Sequence, residues 1–271
     1  MNKNNKYYKK ISVIGAGAWG TALAEVISRQ GSKVNLWARE DNVVNSINTS
    51  NTNDLYLPNI KLSELISAHK DFSDVLNCDL MLMVTPAQFM RPILNDIKDN
   101  LHETIPIVLC SKGIETKTLN LMSEIAEAII PNNPLAVLSG PSFAIDVVNN
   151  KPTAVTLACK DLNIGKNIAD SISLPKFRPY LSEDVIGAQI GGATKNVIAI
   201  AAGVVEGQNL GDSSCGNYSK RLQRNKSLGC CIRRSRGNII WIIWNWRFTA
   251  NMQLCNLTKF FTRNKAGTRT K

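Results

Sequence analysis

Three glycines, Gly15, Gly17 and Gly20, stand in G-x-G-x-x-G spacing within "VIGAGAWG". They follow a short β-branched run at residues 11–14 and open the helical-period segment "TALAEVISRQG", which closes at Gly31. Strand, glycine turn and helix in that order leave few folds open. Gly15 permits the tight turn. Gly17 lets backbone approach a pyrophosphate seated on the helix N-terminus. Gly20 lets helix and strand pack closely. The spacing therefore predicts a dinucleotide site, with a plain tight strand–helix turn as the alternative.

Further apolar runs repeat the strand-then-helix pattern. Residues 33–39 ("KVNLWAR"), 79–86 ("DLMLMVTP"), 106–113 ("PIVLCSKG") and 134–142 ("PLAVLSGPS") read as strands, with 152–159 ("PTAVTLAC") as a late one. Strands alternating with helices predict an α/β fold, a doubly wound parallel, Rossmann-like sheet. From 185 to 205 the pattern turns long, helical and rich in small residues, as at the start of an all-α domain. The expected organisation is a dinucleotide-binding domain over 1–187, the truncated start of a helical substrate domain over 188–213, and a tail over 214–271.

The net charge of +11 looks like that of a nucleic-acid or membrane binder. Its distribution says otherwise. Of 32 basic residues, 13 fall in 214–271 together with none of the 21 acids, which leaves 19 basic and 21 acidic residues before them. The excess is a property of the tail alone. The upstream cysteines, Cys78, Cys110 and Cys159, are widely spaced and lack partner histidines, so they read as buried small hydrophobes in a reducing compartment. No apolar run reaches transmembrane length. The basic start followed by an apolar body mimics a signal peptide, but its three glycines make a poor apolar helix.

Several side chains fall where open α/β sheets bind ligands. Arg39 ends the second strand, where an NAD-only site usually carries an acid, so a 2′-phosphate is tolerated; a solvated arginine is the bland alternative. Lys112 follows the strand ending in "CSKGIE", and Gly140 and Ser142 follow the one ending in "SGPSFA". Lys195 sits among glycines and alanines too short to lie along its stem, which favours a functional amine over a snorkelling one.

Taken in order, "VIGAGAWGTALA", "VTPAQ", "SKGIE", "SGPSFA" and "GGATKNVIAIAAGVVEG" resemble the bacterial NAD(P)-dependent glycerol-3-phosphate dehydrogenases over residues 10–212. The resemblance implies a cytoplasmic oxidoreductase that uses NAD(P)H to interconvert dihydroxyacetone phosphate and sn-glycerol 3-phosphate for phospholipid synthesis. It implies that Ala18, Trp19 and Arg39, with the three glycines, touch the cofactor, and Ala144 likewise. It gives Lys112 contacts to cofactor and substrate, Gly140 and Ser142 contacts to substrate, and Lys195 the catalytic role. It implies no metal, and it allows a homo-oligomer.

The tail departs from this family, which continues with a "GLSGxGDL"-type segment and a later "SRN". Residues 237–247 instead read "GNIIWIIWNWR". Back-translated from Gly237 and regrouped one base later, each tryptophan codon forces a glycine. The permitted reading includes E-T-L-F-G-L-S-G-I-G, followed by D-L. Trp241, Trp244 and Trp246 thus stand where displaced glycines of the missing motif belong. This predicts a change of reading frame between Ser213 and Gly216, an out-of-frame basic tail, and activity lost or impaired. No specific nucleic-acid or membrane partner is then needed. Two rivals remain: a cofactor-binding remnant without catalysis, and a basic-tail nucleic-acid or membrane binder whose affinity falls steeply with salt.

Overall fold

The computed structural model describes residues 7–194 and Ile200. The described residues through Gln189 form one compact unit, distinct from what begins at Ile190. This unit holds an eight-stranded sheet in the order β3-β2-β1-β4-β5-β6-β7-β8. Its strands are β1 (Lys10–Ile14), β2 (Lys33–Trp37), β3 (Ile66–His69), β4 (Leu80–Met83), β5 (Ile107–Leu109), β6 (Leu135–Ser139), β7 (Thr153–Cys159) and β8 (Phe177–Ser182). The helices are α1 (Ala18–Ser28), α2 (Asp41–Ser50), α3 (Ser73–Leu76), α4 (Met90–Ile97), α5 (Met122–Ile129), α6 (Ala144–Val148) and α7 (Leu162–Ile172).

Strands β1 to β6 are mutually parallel, in the 3-2-1-4-5-6 order of dinucleotide-binding sheets. Every residue of β4 and β5 is buried, as befits strands covered by helices on both faces. The order reverses direction between β1 and β4, and the crevice at their C-terminal ends is where such sheets take ligands.

The far edge departs from the all-parallel expectation. β7 runs antiparallel to β6, with Ser139 opposite Thr156, and β8 runs parallel to β7. An antiparallel return needs only a short connection, so residues 140–152 fold back over the end of β6. The segment carrying Gly140, Ser142 and Ala144 is thereby held at the same end of the sheet as the glycine turn. Gly140 fits there because a Cβ would meet the Val155 backbone at 3.1 Å.

Candidate functional site: a cleft over the glycine turn

The glycine turn is dictated by close contacts. Gly15 has φ +117°, and a Cβ on it would lie 2.9 Å from the Val84 carbonyl oxygen. A Cβ on Gly20 would lie 1.8 Å from the Gly15 carbonyl oxygen. Around Gly17 there is open space to 4 Å. Gly17 is also the N-cap of α1, no side chain caps the first turn, and that turn holds no acid. The helix therefore presents its leading N–H groups and the positive end of its dipole to the crevice. Asn53 holds the turn from behind. Its amide donates to the Ala16 carbonyl at 2.9 Å and to the Thr21 hydroxyl at 2.7 Å. Nothing in the polar run around Asn53 signals this role in the sequence.

A cleft of about 690 Å³ opens over the turn. Gly15, Gly17, Ala18, Trp19 and Gly20 form its floor; Arg39, Lys112, Ser142 and Ala144 contribute to its walls. Gly140 does not line it, but its carbonyl accepts a hydrogen bond from Lys112 Nζ at 3.0 Å. The same ammonium lies 5.9 Å from the centre of the Trp19 ring. Lys112 thus bridges α1 and the end of β6. Lys195 falls outside the described residues. Sequence reasoning missed Glu40, Tyr56, Thr85, Phe89 and Phe143 as wall residues.

Polar groups differ along the cleft. At the β2 end, Arg39 is exposed and pairs with Glu40 at 3.0 Å, and Glu40 also accepts from the Tyr56 hydroxyl at 3.3 Å. Across the sheet, the buried hydroxyls of Thr85 and Ser142 have no hydrogen-bond partner among the described residues. Each offers a donor and an acceptor to a bound ligand. Trp37 stacks on Phe72 with ring centres 4.7 Å apart and closes the β2 side. Burial pushes the Cys110 thiol up to about 12 against the opposing pull of Lys112, so it stays a protonated small hydrophobe. Cys159 is likewise buried and free, whereas Cys78 is only partly buried. No metal-binding cluster exists among the described residues, and no helix among them is long and apolar enough to cross a membrane.

The sheet order, the uncapped glycine helix and the cleft above it define a Rossmann-type dinucleotide-binding domain. Residues 10–165 match the N-terminal model of NAD-dependent glycerol-3-phosphate dehydrogenase, and residues 184–224 match the C-terminal one. The chain belongs to the NAD-dependent glycerol-3-phosphate dehydrogenase family. It is 50% identical over 207 residues to the glycerol-3-phosphate dehydrogenase [NAD(P)+] of Parvibaculum lavamentivorans, covering 76% of this chain but only 62% of that protein. With the Paramagnetospirillum magneticum enzyme of the same name it shares 48% identity, covering 76% and 75% of the two chains. The crystal structure of glycerol-3-phosphate dehydrogenase from Coxiella burnetii superposes with a TM-score of 0.82 at 30% identity, over 88% of this chain and 73% of that one.

Proposed function

We propose that this chain carries the cofactor half of an NAD(P)H-dependent glycerol-3-phosphate dehydrogenase acting in the cytoplasm for glycerophospholipid synthesis. Its substrates are dihydroxyacetone phosphate and sn-glycerol 3-phosphate. One observation carries the reading: the uncapped first turn of α1 and the Lys112 ammonium face one cleft. Both are positive, and a dinucleotide and a phosphorylated triose are both anionic.

The residues fit a dinucleotide. The open space at Gly17 admits the pyrophosphate to the N–H groups of Ala18, Trp19 and Gly20. Glu40 accepts from the hydroxyls of an NADH ribose; a 2′-phosphate takes Arg39 away from Glu40 instead. When bound, the nicotinamide supplies hydride to the ketone carbon. Lys112 holds both cofactor and substrate by charge, and the Ser142 hydroxyl donates to the substrate. Lys195, assigned by its motif, stabilises the developing alkoxide and delivers its ammonium proton to that oxygen.

The tail belongs to the same proposal. We place a change of frame between Ser213 and Gly216, on the charge step and the tryptophan register; the family match itself runs on to residue 224. Residues 237–247 stand in place of the "GLSGxGDL"-type segment, so the substrate contacts that segment would supply are lost. Turnover by the 271-residue chain is then at background, because misplacing reactants by about 1 Å costs roughly a hundredfold. Shifting the frame back should restore NADH oxidation driven by dihydroxyacetone phosphate, and Lys195→Ala in the restored protein should abolish it. Equal turnover by the 271-residue and restored chains would show that the tail completes the site.

A further inference from the structure

Lys112 is the cation of the cleft that bridges α1 and β6, yet it stands on a loop and not on a regular element. A long lysine stem on a free loop would sample many positions. The loop, however, is pinned almost residue by residue to the turn that follows β4. The Ser111 hydroxyl donates to the Thr85 carbonyl. Gly113, at φ +142°, lies against Ala87, where a Cβ would come within 2.9 Å of the alanine methyl. The Gln88 amide spans the next turn: Nε2 donates to the Ile114 carbonyl at 2.9 Å, and Oε1 accepts from the Thr116 N–H at 3.0 Å and its hydroxyl at 2.9 Å.

Arg91 completes the series. Its Nε and Nη2 donate to the two carboxylate oxygens of Glu115 at 2.8 and 2.9 Å, and the Thr118 hydroxyl donates to the same carboxylate. The Glu115 side chain is 9% exposed. Beyond it, Leu119 is held in the left-handed region at φ +60°, the residue being 76% exposed. That conformation gains nothing from packing and persists because backbone bonds between Glu115 and residues 119 and 120 hold it. Neither Arg91 nor Glu115 lines the cleft.

We propose that the Arg91–Glu115 ion pair is a positioning device for Lys112, fixing its loop against the turn after β4 so that the ammonium stays between Trp19 and Gly140. A bidentate fork fixes orientation as well as distance, which a single contact does not. Removing one partner strands a poorly exposed charge and releases the loop.

Two measurements on the purified 271-residue chain test this. The first is amide hydrogen exchange. Arg91→Met and Glu115→Gln should each speed exchange across 111–118 by about tenfold or more while the remaining strands keep their protection, and Arg91→Lys should fall between. Unchanged exchange in 111–118, or a uniform rise throughout the sheet, overturns the proposal. The second rests on the dinucleotide reading and uses NADH titration in a double-mutant cycle. Arg91→Met and Lys112→Met should each weaken NADH about tenfold, as loss of a charge-assisted contact does, and the double variant should be no weaker than Lys112→Met alone. Additive losses would make the pair a general structural support. A parent chain that does not bind NADH rejects the dinucleotide reading, and the exchange result then decides on the ion pair alone.

Discussion

Arg39 and Glu40 sit side by side at the end of β2, and in the proposed site they would favour different cofactors. Their ion pair is exposed on the arginine side and so contributes little to stability. It does set a competition, because a 2′-phosphate must outbid Glu40 for the guanidinium. Arg39→Ala should weaken NADPH about tenfold more than NADH, and Glu40→Gln should shift preference toward NADPH. Parallel titrations with the two cofactors check this; equal losses for both would place Arg39 outside the ribose subsite. At Glu115 the testable property is acid stability. Hydrogen bonds from Arg91 and Thr118 hold its carboxyl at about 2, below the ordinary 4.5. A depressed acid contributes stability above its unfolded pKa and loses it as pH falls toward the folded one. The urea midpoint of the parent chain should therefore drop from pH 4.5 to pH 2 more steeply than that of Glu115→Gln. Identical slopes would mean that the pair is not formed in solution.

At the scale of elements, the three glycines of the turn separate by what surrounds them. Gly20→Ala forces a Cβ into the Gly15 carbonyl and should unfold or badly destabilise the β1–α1 unit. Gly17→Ala meets only open space at ordinary φ, so the thermal midpoint should hold while NADH binding falls at least tenfold, since the added methyl occupies the pyrophosphate approach. Thermal melts and titrations of both variants distinguish the two roles; a stable Gly20→Ala would contradict the packing argument. The sequence spacing made this unit legible because backbone sterics alone require glycine there. The buried runs of β4, β5 and β6 were legible for a similar reason, being continuously apolar. β3 escaped because "ISAH" is four residues long and half exposed. β8 escaped because "FRPYLS" carries a proline, which an edge strand tolerates and a central one does not. The reversal at β7 was hidden too: pairing direction is set by the connection, and nothing in the strand's own composition reports it. Asn53 and the Arg91–Glu115 pair were illegible because their partners lie more than twenty residues away.

At the scale of the whole molecule, the chain spans 62% of the length of its Parvibaculum relative, and its net positive excess lies after residue 213. The proposed change of frame would account for both the charge step and the tryptophan register. The gene should encode, one base later, an aspartate overlapping Arg247 and an open frame leading to an "SRN" segment; an early stop in that frame would count against it. Independently of the tail, local backbone around Gly17 should make a working dinucleotide site in this chain. Calorimetric titration of NADH into the purified 271-residue protein tests it most directly. Saturable one-site binding is expected, competed by ADP and lost in a folded Gly17→Ala variant. Absence of saturable binding, or binding that Gly17→Ala leaves unchanged, would contradict it.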